Sequence, residues 1–306
     1  METNKIKRIV IWGLRKKYHT HRHIHQAFYK NAKKLSYETI WVEDEKESQK
    51  YIQPGDLIIT ADPVGRMVPE KFKIEDYNLP IREDIFYCLH NLKEIFTKQL
   101  KRENFINLAV YSKGAEESDI KIDTARYFDS KTRTLYQPWG TDLLAEEFMK
   151  PVFNKNKFVF WVGSIWNNKL DQGNLREIDE LKRTLKANKI SFIKVRFIPD
   201  LFNRFLVRVS RIAPAIAGKY QVDTDYLPCR MFKNISYGQL GITNVKKFMD
   251  ILGDSYVQGE TIAELIQNSL ELSKESYFAI IRKQQEIVKK YTYKESIENI
   301  IKFLNK

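Results

Sequence analysis

Arg230, Lys233, Asn234 and Tyr237 lie between Pro228 and Gly238 at spacings of three, four and seven, so a helix there puts them on one face. Met231 and Ile235 take the opposite side. Pro228 suits an early turn of that helix and Gly238 the position after its end. Two cations and an amide on one stripe, close to the positive end of a helix dipole, are chemically suited to reading a diphosphate and a ribose. The same spacing also fits a solvated basic face over a buried one.

Two further segments hold residues able to do chemistry. Residues 13–26 (GLRKKYHTHRHIHQ) contain four of the five histidines, His19, His21, His23 and His25. Alternate histidines invite a metal reading, but with His19 and His21 in a loop and His23 and His25 entering a helix the four do not converge, and no carboxylate or cysteine stands at ligand spacing. No metal site is therefore expected. The loop follows a first strand, where doubly wound sheets place ligands, and a histidine there is suited to act as a general base. His19 and His21 are the candidates, with His25 behind them; surface histidines on a basic turn are the plainer alternative. In residues 158–170 (FVFWVGSIWNNKL), Gly163 directly after a strand would let backbone amides approach a phosphate, with Ser164 beside it. A strand-ending glycine also serves simply as a turn.

The elements that must position these residues alternate between strand and helix. Residues 6–12 (IKRIVIW), 38–42 (ETIWV), 56–60 (DLIIT), 85–89 and 106–111 read as strands, with helices over 23–35 and 92–102 and a hairpin formed by 126–129 and 133–137. Residues 150–157 (KPVFNKNK) are polar and breaker-containing, and read as a linker. The pattern then restarts with a strand over 158–162, a helix over 174–188 and a strand over 190–196, and residues 260–306 are helical in composition. The expectation is α/β: two Rossmann-like domains with parallel sheets, helices on both faces and a cleft between them. An N-terminal domain spans 1–152, a C-terminal domain spans 157–277, and a terminal helix over 278–306 packs back on the N-terminal domain.

Residues 230–238 and 240–244 together resemble the donor-binding helix, glycine and following strand of GT-B glycosyltransferases. In that family an acidic residue, seven others and a Glu precede the helix end; here Asp225 keeps the first acid and Lys233 replaces the second. A lysine only donates hydrogen bonds and cannot accept them from a ribose, so Lys233 suits a phosphate instead. The Gly163-Ser164 turn resembles the matching loop of the family. Residues 13–26, 79–91 and 136–147 look like a group of GT-B enzymes from bacteria and large viruses. The resemblance implies donor contacts from Gly163, Ser164, Asp225, Tyr226, Arg230, Lys233, Asn234, Thr243 and Asn244, and a catalytic base among His19, His21 and His25. It implies a nucleotide-diphosphate sugar as co-substrate, a glycan or lipid-linked acceptor and a role in polysaccharide biosynthesis.

Composition bounds these readings. With 306 residues, 43% hydrophobic and 13% aromatic, the chain is long enough for two cores. Two distant cysteines, Cys88 and Cys229, match neither a disulfide framework nor a zinc spacing, so a reducing cytoplasm is expected. Four apolar residues before Gly13 are too few for a signal peptide or span. The formal charge of +13 calls for anionic partners: the donor diphosphate and, peripherally, an anionic membrane. Asp223-Thr224-Asp225 precedes a proline-started helix instead of ending a strand, so donor binding is expected to need no metal. The alternative is a protein that binds nucleic acid non-specifically through a basic surface, although no nucleic-acid-binding signature occurs.

Overall fold

Arg8 and Asp56 open two neighbouring buried strands and face each other in register, the guanidinium donating from Nε to Oδ1 at 2.9 Å and from Nη2 to Oδ2 at 2.7 Å. The pair neutralises the two charges that would otherwise be buried alone in a sheet this apolar. The computed structural model describes residues 6–15, 20–62, 78–92, 97–196 and 198–306. Two compact units emerge. The first comprises Met1–Val110, Gly114–Gln137 and Tyr293–Lys306; the second comprises Tyr111–Lys113 and Pro138–Thr292.

The first unit is α/β, built on an eight-stranded, mostly parallel sheet. Its strands are β1 (Arg8–Trp12), β2 (Glu38–Val42), β3 (Asp56–Thr60), β4 (Phe86–His90), β5 (Phe105–Ala109), β6 (Ile120–Lys121), β7 (Tyr127–Asp129) and β8 (Thr134–Tyr136). They run in the order β2-β1-β3-β4-β5-β8-β7-β6. Only the β6-β7-β8 edge is antiparallel. β1, β3 and β4 are buried along their whole length, as the near-continuous apolar runs of a parallel sheet require. Helix α1 (Thr20–Lys34) buries Ile24, Ala27, Phe28 and Asn31, one helical stripe. The last helix of the chain, Tyr293–Leu304, belongs to this unit: Phe303 stacks on Phe128, and Arg133 donates to the Phe303 carbonyl at 2.9 Å.

The second unit holds strands β9 (Phe158–Val162) and β10 (Ser191–Val195), paired in parallel. Its helices are α2 (Leu175–Ala187), α3 (Asp200–Val209), α4 (Lys219–Asp223), α5 (Cys229–Ser236), α6 (Phe248–Leu252), α7 (Ile262–Glu271) and α8 (Lys274–Val288); the Tyr293–Leu304 helix of the first unit is α9. Among the described residues the second parallel sheet expected from the sequence consists of β9 and β10. Residues 210–217 and 242–244 lie where further strands would, joined by the isolated Pro214–Ile242 bridge and by side chains in place of a ladder.

Residues 138–152 pack within the second unit. Met149 N–H donates to the Ser236 carbonyl at 2.8 Å and Val152 N–H to that of Gly238 at 2.9 Å, while Leu143 joins a core with Val207, Ala213 and Tyr237. The division therefore falls at Gln137/Pro138 and not at the polar stretch 150–157, because hydrogen bonding and burial follow Leu143 and Met149, not local polarity. The terminal element is likewise shorter than expected. α8 stays in the second unit, where Gln284 bonds both to Gly241 and to the Ser255 carbonyl.

Candidate functional site

In the first unit, chemistry collects where β1, β3 and β4 end. α1 brings His21 to the residues after β3, and His21 Nδ1 lies 2.6 Å from Asp62 Oδ1 with both side chains partly exposed. A carboxylate at this distance from Nδ1 orients the imidazole, the arrangement found where a histidine serves as a general base. His90, the last residue of β4, donates from Nδ1 to the Ala61 carbonyl at 2.8 Å, and its ring meets that of His21 edge-on with centroids 6.2 Å apart.

His25 plays a different part. It is fully buried, and its Nε2 accepts the Ala61 N–H at 2.8 Å. Ala61 is thus clamped between two imidazoles, one at its N–H and one at its carbonyl. Asp62 Oδ2 is 4.0 Å from the same His25 nitrogen, but that nitrogen is accepting a hydrogen bond and carries no proton, so the pair is not ionic. Gly13, at φ +148°, lies against the His25 ring so closely that a β-carbon would fall within it. His25 builds the end of β1 and β3, whereas the His21 side chain is partly exposed. His19 lies outside the described residues. In the sequence Asp62 reads only as a strand-breaker and His90 only as the end of a strand; the signal that could have found them is position at the carboxyl ends of parallel strands.

In the second unit, α5 begins at the N-cap Pro228, and Gly238 follows it at φ +86°. Arg230 on its first turn lays its guanidinium over the Trp161 ring of β9, 3.8 Å from the centroid. Gly163, at φ +143°, leaves room for that guanidinium, and a β-carbon there would overlap Nη2. Among the described residues no carboxylate pairs with Arg230. Burial brings its pKa down to about 10, a cation whose surroundings undercompensate it. Burial also lifts the Tyr226 hydroxyl well above its ordinary range, with Arg230 pulling it back. Tyr226 lies against Tyr111, ring centroids 5.2 Å apart, and Tyr111 against Tyr220 at 6.0 Å. Trp161 is buried, and its indole N–H has no acceptor among the described residues.

The other residues singled out in this segment have separate surroundings. Lys233 faces Asp142 at 4.0 Å, and Asp142 also accepts from Arg204 at 2.7 Å and from the Tyr237 hydroxyl at 2.5 Å. Burial works against charge on both Asp142 and Lys233, yet this mutual pairing lowers the Asp142 pKa and raises that of Lys233. Asn234, Thr243 and Asn244 tie residues 213–217 in place. Asn234 donates to the Ala213 carbonyl, Thr243 to that of Ala215, and Asn244 bonds both ways with Ala217. Asp225 occupies a left-handed turn at φ +52°, where its carbonyl accepts the Ser112 hydroxyl. The Ser164 hydroxyl accepts from Arg196 at 3.3 Å.

The structure thus groups Gly163, Trp161 and Tyr226 around Arg230 and turns Lys233 toward Asp142. Trp161 and Asp142 are not candidates from the sequence, where nothing distinguishes them from core and loop residues. The chain matches no model of a known protein family and no curated protein.

Proposed function

We propose that the protein is a GT-B-type glycosyltransferase that moves a sugar from a nucleotide-diphosphate donor to a hydroxyl acceptor. The observation that carries this reading is Arg230, a partly buried cation stacked on Trp161, beside a glycine and, among the described residues, without a carboxylate. A diphosphate supplies the counter-charge this guanidinium lacks, and two of its oxygens can accept parallel hydrogen bonds from the planar guanidinium. The tyrosines at 111, 220 and 226 offer aromatic faces for the base.

Each unit offers one group suited to this chemistry. In the first unit His21, oriented by Asp62, is the candidate to take the proton of an acceptor hydroxyl. Transfer replaces the bond from the anomeric carbon to the phosphate oxygen by one to the acceptor oxygen, and in the second unit Arg230 is the candidate to stabilise the negative charge left on the departing nucleotide. The glycan or lipid-linked acceptor and the independence from metal suggested by the sequence belong to the same proposal.

Thermal denaturation with UDP, GDP, CDP, ADP and dTDP in turn tests the reading. A nucleotide at about one hundred times its dissociation constant should stabilise the fold by about 2.7 kcal/mol. No stabilisation by any of them, with steeply salt-dependent binding of DNA or RNA instead, would replace this proposal by the nucleic-acid alternative.

A further inference from the structure

Of the ten exposed large apolar side chains among the described residues, seven fall between Trp166 and Phe205, and the densest group is on α3. Leu201 is 75% exposed, Phe202 59% and Phe205 58%, three neighbours on one side of a ten-residue helix. Isolated exposed apolar residues are ordinary; two phenylalanines and a leucine on one helical face mark a surface that meets something apolar.

The inner side of α3 is fixed, so the helix cannot roll to hide that face. Val207 is buried with Leu143, Ala213 and Tyr237. Arg204 is held by Asp142 at 2.7 Å, and Arg208 donates from Nη1 to the carbonyls of Lys150 at 2.9 Å and Tyr237 at 2.6 Å. Both ends of α3 are flanked by exposed cations. At its C-terminal end Asn156 donates to the Val209 carbonyl, which places the exposed Lys155 and Lys157 there. Before its N-terminal end come the exposed Lys194 and Arg196, and Arg196 reaches to Ser164, two residues from the exposed Trp166. Residues 150–211 carry fourteen Lys and Arg against five Asp and Glu, a net +9 of the chain's +13.

We infer that α3 docks the protein on an anionic lipid surface. Leu201, Phe202 and Phe205 enter the boundary between headgroups and acyl chains, and Lys155, Lys157, Lys194 and Arg196 meet the phosphates. An apolar helical face set between cations is the pattern of an interfacial helix, and a ten-residue helix of about 15 Å lies in the interface without crossing it. No described helix is long and apolar enough to span a membrane. The inference is independent of which reaction, if any, the protein catalyses.

Vesicle flotation of the full chain tests it, with phosphatidylcholine vesicles made with and without phosphatidylglycerol. The wild type should float with the anionic vesicles, stay behind with the neutral ones and be released by high salt. The triple variant Leu201→Ser, Phe202→Ser, Phe205→Ser should lose at least about tenfold in partitioning while keeping its melting temperature, because the three side chains are exposed. The pair Lys155→Glu and Arg196→Glu should weaken binding and flatten its salt dependence. Equal flotation of wild type and triple variant would overturn the inference, as would a wild type that ignores anionic vesicles. Sedimentation that shows a dimer in the wild type and a monomer in the triple variant, without flotation, would assign the face to self-association instead.

Discussion

The guanidinium of Arg230 stands 3.8 Å from the centre of the Trp161 ring, and the glycine at 163 is what leaves it room. Stacking fixes the plane of the guanidinium while leaving its N–H edges to a ligand, and such an arrangement favours arginine over lysine. Arg230→Ala should weaken nucleoside diphosphate binding by about tenfold to a hundredfold, the equivalent of about 1.5–3 kcal/mol for a charge-assisted contact. Arg230→Lys should recover only part of the loss. Titration calorimetry on folded variants checks this, and an unchanged dissociation constant in Arg230→Ala would remove Arg230 from the site.

Gly163→Ala reaches the same group by a different route. A β-carbon there overlaps the end of a flexible side chain at a φ that favours glycine. The variant should fold with a loss of about 1–2 kcal/mol and bind nucleotide as weakly as Arg230→Ala, since the guanidinium is pushed off Trp161. Binding at wild-type strength would mean that the stacked position is not the one used.

His21→Asn should lower turnover by about 10²–10⁴ while leaving donor affinity nearly unchanged, because the proposed mechanism gives this histidine to the acceptor and not to the donor. Asp62→Asn should also slow turnover, since it no longer holds the Nδ1 proton. His25→Asn should instead act on stability, as its ring is fully buried and bonded to Ala61. Steady-state kinetics alongside melting curves separate the three. A retaining enzyme needs no such base, and an active His21→Asn would point there.

Asp142 gives the stability of the second unit a pH dependence of known sign. Its partners Lys233, Tyr237 and Arg204 overcome burial and hold its pKa below the ordinary 3.8, so as pH falls the unfolded chain takes up the proton first. The stabilisation is complete above the unfolded value, near pH 4, and is lost as pH drops through the lower folded value. Urea midpoints measured from pH 6 down to pH 3 should show this slope in the wild type and less of it in Asp142→Asn. That variant should also lose about 3–5 kcal/mol at neutral pH, because Lys233 and Arg204 are left buried without their carboxylate.

The strands over 38–42, 56–60 and 158–162 were legible residue for residue, because an apolar run between breakers has few other uses in a globular chain. The short helix after Pro228 and the antiparallel edge formed by 127–129 and 134–136 were legible for the same local reason. α3 was not foreseen. Its exposed Leu201, Phe202 and Phe205 break the rule that apolar faces turn inward, so a pattern read for burial misses it.

The sequence by itself determined an alternating α/β chain with a basic excess, and it placed Arg230 and Lys233 one turn apart on a helix. Only the tertiary structure decided that these two cations have different fates. Arg230 meets a ring and a glycine from the end of β9, while Lys233 meets Asp142, 91 residues before it. Likewise His21 and His25 are equivalent in composition and spacing, yet one faces Asp62 with partial exposure and the other is sealed under Gly13. Helical periodicity sets which residues share a stripe, but the partner each one meets comes from distant parts of the chain that no local pattern specifies.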